Sequence, residues 1–201
     1  MHDPDGSGDE HGPDHHDGAL ERLARLAATG DTAALRTFLS EIHPPVVRFC
    51  RGKLAGSTGI LTADDVVQDV MLAVCDALPR FRPEGAIMAF VIGIARFKIV
   101  DAFRASGRDQ STPSESMPER PDTDPGPELA AVLATEVVRL KAALALLPDH
   151  HREVIVLRVA LRYTADEVAG MLDTTAGAVR VTQHRALARL RTLLSDPVPD
   201  A

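Results

Sequence analysis

Apolar residues along this chain recur at three- and four-residue spacing rather than alternating, and they do so in blocks closed off by Gly, Pro and polar runs. That periodicity predicts amphipathic helices and no sheet. A first helix over 19–28 stops at Gly30, and Asp31 is placed to cap the next one. Leu35, Phe38, Leu39 and Ile42 continue at helical spacing up to Pro44 and Pro45, a pair that suits a helix start or kink. Val46, Val47 and Cys50 extend the stripe, and GSTG at 56–59 reads as a loop. Thr62 with Asp65 three residues on gives a short capping box, followed by an inner face of Val66, Val67, Val70, Met71, Val74 and Leu78. PRFRPEG at 79–85 breaks the pattern. A longer helix over 87–106 turns Phe90, Val91, Ile94, Ala95, Ile99, Val100 and Phe103 inward or toward an interface.

Residues 107–127 (GRDQSTPSESMPERPDTDPGP) hold five prolines and no continuous apolar face, which predicts a linker. Beyond it the helical spacing resumes through Leu133, Val137, Leu140 and Leu144 to Leu147. Thr164 and Glu167 then form a full capping box, with Val168, Met171 and Leu172 behind it. Asp173-Thr174 turn the chain, and Thr175 is placed to cap a last helix whose buried side is Val179, Ala186, Leu187 and Leu190. Gly177 and Ala178 are small, which fits close packing of the two helices. This is a helix-turn-helix pattern with its second helix in reading position. That helix carries Arg180, Arg185, Arg189 and Arg191 and no acidic residue. Phosphate neutralisation by such groups supplies much of a protein's affinity for DNA.

A formal net charge of −7 over 201 residues argues against a nucleic-acid partner until it is divided along the chain. Residues 1–18 carry −6, 19–106 carry +2, 107–135 carry −4, 136–194 carry +3 and the last seven −2. The acidity therefore lies in two tails and a linker, and both helical units are mildly basic. Residues 1–18 have almost nothing to bury and are expected to be disordered; their His2, His11, His15 and His16 lack a defined ligand geometry, so no metal is expected. Arg outnumbers Lys 19 to 3, which with abundant Ala hints at a GC-rich genome. Cys50 and Cys75 have no metal-ligand spacing and read as small apolar residues. No signal-peptide pattern and no apolar run of membrane-spanning length is present, so a cytoplasmic protein without membrane contact is expected.

The segments LPDHHREVIVLR (147–158) and YTADEVAGMLDTTAGAVRVTQHRALARLR (163–191) resemble the region-4 domain of sigma-70 family factors, which reads the −35 promoter element. ADDVVQDVMLAV (63–74) followed by AFVIGIARFKIVDAFR (89–104) resembles region 2 of the small extracytoplasmic function (ECF) sigma factors. Two such blocks in order, with no region-3 domain between them, are specific to that group, and the composition suits an actinobacterial member. The resemblance implies an all-α protein of two small helical domains joined by a flexible acidic linker: a tail over 1–18, region 2 over 19–106, the linker over 107–127, region 4 over 128–195 and a tail over 196–201.

The resemblance also assigns roles. Asp64, Asp65, Gln68 and Asp69, which alone read as a solvated helix face, match the surface that docks the basic β′ clamp helices of core RNA polymerase. The polymerase β flap, promoter DNA and an anti-sigma factor are the other partners it allows. Arg80, Phe81, Arg82, Arg96, Phe97, Lys98, Asp101 and Arg104 fall where the −10 element is melted and an unstacked base is captured. Thr175, Arg180, Val181, Thr182 and His184 fall at the −35 groove, with Arg185 on phosphate. Four positions depart from the family's habit: Phe90 stands for Trp, Phe97 for Asn, Thr182 for Arg and Gln183 for Leu. No Ser-His-Asp spacing, P-loop or HExxH is present, and neither enzyme activity nor a cofactor is expected. A stand-alone helix-turn-helix regulator and a helical protein-interaction adaptor are the rival readings. The two promoter elements lie about 25 base pairs apart, roughly 85 Å at 3.4 Å per step, and the linker reaches at most about 70 Å when extended.

Overall fold

The computed structural model describes residues 14–57, 62–81, 86–106 and 127–195, with side chains described at 18–57, 62–81, 86–105 and 133–195. The linker at 107–126, Arg82, the C-terminal tail and most of the N-terminal tail lie outside the described residues. Every regular element among them is helical: α1 (Asp14–Ala28), α2 (Thr32–Lys53), α3 (Ala63–Ala77), a 3-10 turn (Leu78–Arg80), α4 (Ile87–Ser106), α5 (Pro127–Ala145), α6 (Asp149–Ile155), a π-helical turn (Val156–Ala160), α7 (Ala165–Leu172) and α8 (Ala176–Ser195).

Helix α1 begins at Asp14, so residues 14–18 are not the unstructured chain that their composition suggests. Leu20, Ala24 and Ala27 are buried and anchor the helix by packing. Once nucleated, extending it by a turn is cheap. The backbone at Gly30 is left-handed (φ 97°), and Asp31 accepts hydrogen bonds from the amides of Ala33 and Ala34 at 2.9 and 3.0 Å to start α2. Pro44 and Pro45 do not start a helix; α2 runs through them. Proline inside a helix removes a hydrogen bond at a cost of about 3 kcal/mol. Phe38, Ile42, Val46 and Phe49, all wholly buried at four- and three-residue spacing, hold the helix together across that break. At α3, Thr62 accepts the Asp65 amide at 3.1 Å, and Val66, Val67, Val70 and Val74 are buried as their spacing predicts.

In the second unit, Ala143, Leu147, Ile155, Ala186 and Leu190 form a core between α5, α6 and α8. The helical spacing expected beyond the linker is met by α5, whose outer face keeps Leu133, Val137 and Leu140 exposed. On α4, Val100 and Phe103 are likewise exposed, whereas Ile87, Met88 and Ile92 supply core that the pattern did not single out.

The two units are packed together. Helix α2 lies against α6 and the π-helical turn, and α4 lies against α7. One apolar core runs from Leu20 through Phe38, Val70 and Ile99 to Leu157, Val168 and Val179. Nothing in the apolar periodicity signals this contact.

Candidate nucleic-acid interface

The helix-turn-helix is built by local caps. Thr164 Oγ1 accepts the Glu167 amide at 3.2 Å, and the Glu167 carboxylate accepts the Thr164 amide in return, so the capping box is complete. Two of the four orphan amides at the start of α7 are thereby satisfied or shielded. Asp173 ends the helix in the left-handed region (φ 52°), where a short polar side chain costs less than most. Thr175 Oγ1 then accepts the Ala178 amide at 3.2 Å and starts α8.

On α8, Val179, Ala186 and Leu190 are buried against the domain, and Arg180, Val181, His184 and Arg185 are exposed on the opposite side with Arg189 and Arg191. Thr175 is exposed at the helix start and Thr182 is half-buried. The structure thus leaves Thr175, Arg180, Val181, His184 and Arg185 of the expected −35 residues exposed, and Thr182 only partly so. Arg180 Nη2 lies 3.5 Å from Asp166 Oδ2 on α7, an exposed pair that holds little energy and that DNA can displace. Gly177 and Ala178 are exposed and press on no neighbouring helix, so their smallness is not explained by helix packing. Burial first, then electrostatic interaction with His150 and Arg185, hold the His151 imidazole below its ordinary range. It is therefore neutral at pH 7 and adds nothing to the basic face.

One feature of α8 is not anticipated by its sequence. Gln183 sits on the inner side between Val179 and Ala186 and accepts a hydrogen bond from Arg158 Nε at 2.9 Å, while Arg158 also donates to the Tyr163 carbonyl. Arg158 belongs to the π-helical turn. Gln183 is therefore a strut between the domain body and the reading helix. Its polarity at an inner position of the helix was the available signal.

The −10 candidates divide. Arg80, Phe97, Asp101 and Arg104 are exposed, and Phe97, 61 % exposed on α4, is a free aromatic face. Lys98 is half-buried. Phe81 is not a free stacking surface: its ring packs on Phe90 with centroids 5.1 Å apart, so an aromatic at 90 serves to hold the loop entry. Arg96 is not free either. Its Nε lies 2.9 Å from Glu153 Oε1, and its Nη1 donates to the Met171 carbonyl at 3.4 Å. Arg82 lies outside the described residues.

Asp64, Asp65, Gln68 and Asp69 are all exposed on α3. Asp64 lies 3.5 Å from Arg51 Nη2, and Asp65 Oδ2 accepts the Thr62 hydroxyl at 2.6 Å, which leaves Gln68 and Asp69 facing outward beside them. Burial pushes the Cys50 thiol up to about 12 and also raises that of Cys75, where Asp76 adds to the effect; both are protonated at neutral pH. Among the described residues no His, Cys, Asp and Glu group is placed to hold a metal ion, and no helix is long and apolar enough to cross a membrane.

The C-terminal unit is thus a capped helix-turn-helix with an exposed basic face on α8, and the N-terminal unit exposes carboxylates on α3, the features of a helical DNA-binding protein. The comparisons with known proteins agree. Residues 38–109 match the family model "Sigma-70 region 2" and residues 143–192 match "Sigma-70, region 4". ECF RNA polymerase sigma factor SigD of Mycobacterium tuberculosis is 46% identical over 174 residues, covering 86% of this chain and 82% of its own. ECF RNA polymerase sigma factor ShbA of Streptomyces griseus is 44% identical over 177 residues, covering 85% and 93%. A solved structure of CnrH in complex with the cytosolic domain of CnrY superposes with TM-score 0.64 at 26% identity, over 88% of this chain and 97% of that one. A structure of RpoE in complex with the anti-sigma factor NepR from Bartonella quintana has TM-score 0.59 at 20% identity and shares the fold, over 81% and 99%. The chain belongs to the ECF RNA polymerase sigma factors of the sigma-70 family.

Proposed function

We propose that this sigma factor works by two-point promoter contact through the residues placed above. The unit over 19–106 binds core polymerase through Asp64, Asp65, Gln68 and Asp69 on the β′ clamp helices. It engages the −10 element through Arg80, Arg82, Phe97, Lys98, Asp101 and Arg104, with Phe81 acting by packing on Phe90 and Arg96 once released from Glu153. The unit over 128–195 lies at the β flap and reads the −35 element through Thr175, Arg180, Val181, Thr182 and His184, with Arg185 on phosphate. The observation that carries this reading is the outward face of α8, which gathers arginines and no acid on a fully capped helix-turn-helix. The chain itself performs no chemistry; the polymerase makes the RNA, in the cytoplasm. An anti-sigma factor is a fitting regulator, since RpoE of Bartonella quintana, which shares the fold, is bound by one.

Run-off transcription with purified core on a promoter fragment library tests the function directly. Discrete start sites should arise only when chain and core are both present. Tight binding to one operator without core would instead identify a stand-alone regulator. Charge reversal at Asp64 and Asp69, both to Lys, should weaken core binding about 10-fold or more, because like charges then face the basic clamp helices. Fluorescence titration of labelled chain with core measures this, and unchanged affinity would remove α3 from the docking surface.

A further inference from the structure

Apolar packing alone leaves the rotation of α8 about its axis loosely set. The helix rests on its domain through Val179, Ala186 and Leu190, and apolar contacts have no preferred direction. A hydrogen bond has one. On the same inner line Gln183 Oε1 accepts Arg158 Nε at 2.9 Å, and both side chains are half-buried. Arginine has donors only, so the oxygen of the Gln183 amide must be the atom that faces it.

Arg158 is itself held in place. Its Nη1 donates to the Tyr163 carbonyl. It stands in the π-helical turn, where the Leu161 amide bonds five residues back, to the Val156 carbonyl, at 3.0 Å. Arg162, just beyond, is left-handed (φ 61°), a backbone state that costs energy in any residue with a Cβ. Widened turns of this kind are frequent at functional sites, and this one carries the side chain that fastens α8.

The residues around Gln183 are those assigned to the −35 groove: Thr182 and His184 adjoin it, and Arg180 lies three positions before it. On a helix about 10–12 Å across, a rotation of about 10° moves a side-chain tip by about 1 Å. Hydrogen bonds to base edges work over a window of about 0.5 Å, so a shift of that size breaks them. Phosphate contacts by long, exposed arginines survive it, and they carry no sequence information.

We infer that Arg158 and Gln183 are positioning residues for −35 recognition: their hydrogen bond fixes the rotation of α8 and so decides which bases Arg180, Thr182 and His184 read. Neither residue touches a base, and the role rests on the −35 assignment proposed above. Losing the bond therefore changes the ranking of promoter sequences more than the strength of binding.

Holoenzyme formed from full-length chain and core, given promoters randomised at the −35 element, reads this ranking as run-off yield relative to the preferred sequence. Gln183→Leu should narrow the ratio between preferred and single-base-variant promoters by about 10-fold, the scale of one base contact. Gln183→Glu keeps an acceptor oxygen and should keep the unaltered ratio, even as its charge weakens binding to all DNA. Arg158→Lys keeps the charge but loses Nε, so it should act as Gln183→Leu does, and the two combined should do no more than either alone. Thermal midpoints and core affinity are followed beside the ratios. Unchanged ratios in Gln183→Leu, additive losses in the combined variant, or a uniform loss of yield that tracks the thermal midpoint would each overturn the positioning role. A holoenzyme indifferent to the −35 sequence would instead overturn the −35 assignment. Exchange of the Arg158 Nε proton, followed by nitrogen-15 NMR on the free chain, decides the hydrogen bond in either case. Slowed exchange that Gln183→Leu releases supports it, and exchange as fast as in an exposed arginine overturns it.

Discussion

Replacing Arg180 and Arg185 together with alanine is expected to lower promoter-directed run-off transcription by about 100-fold while leaving core binding intact. Both side chains are exposed on the outward face of α8, so neither contributes to the fold of the domain. An arginine paired to guanine discriminates by about 1–3 kcal/mol, and the loss of a phosphate contact adds a smaller share; about 2.8 kcal/mol in total corresponds to 100-fold. The ion pair of Arg180 with Asp166 barely offsets this, because both groups are largely exposed to water. Losing the phosphate contact proposed for Arg185 should also flatten the dependence of promoter binding on salt, by about 0.9 in log–log slope. Holoenzyme binding to a −35 fragment across a salt series measures both effects. Transcription at the normal level from the double variant would mean that α8 is not the reading helix.

Phe38→Ala should be the most damaging single truncation, destabilising the chain by about 3–5 kcal/mol. Phe38 is wholly buried on α2, among the side chains that carry that helix across Pro44 and Pro45. Its loss leaves a cavity at the point where α2 has already lost backbone hydrogen bonds to proline. For a chain of this length each kcal/mol moves the midpoint by about 2–4 °C, so thermal unfolding followed by circular dichroism should fall by about 10 °C. A shift below about 3 °C would show that α2 is held by its neighbours and not by this face.

Much of the reading machinery is legible in the sequence because its signals are local. The Thr164–Glu167 box, the Asp173 turn and the Thr175 cap each lie within four residues, and each forms as its pattern predicts. The exposed face of α3 is legible for the same reason: Val at helical spacing leaves the carboxylates on the other side. What escapes sequence reading is long in range. Lys53 meets Glu153, and Arg96 meets Met171, across the linker, and nothing in a lone Lys or Glu distinguishes a buried partner from a solvated one. Gly52 carries no turn signature, since its role is to be small beneath Val156. Phe81 and Arg96 were legible as an aromatic and a cation near the −10 helix, but not as groups already engaged.

The Arg158–Gln183 hydrogen bond bears on the engineering of new promoter specificities. Reading helices are natural units to exchange between relatives, yet in this chain the helix is fastened to its own domain by a polar pair. A grafted helix bringing leucine at 183 would leave the half-buried Arg158 Nε without its acceptor, with only the bond to the Tyr163 carbonyl remaining. The graft would then tilt or loosen before any base was read. Exchange has to move both residues, and the portable unit of specificity is the helix together with the turn that anchors it.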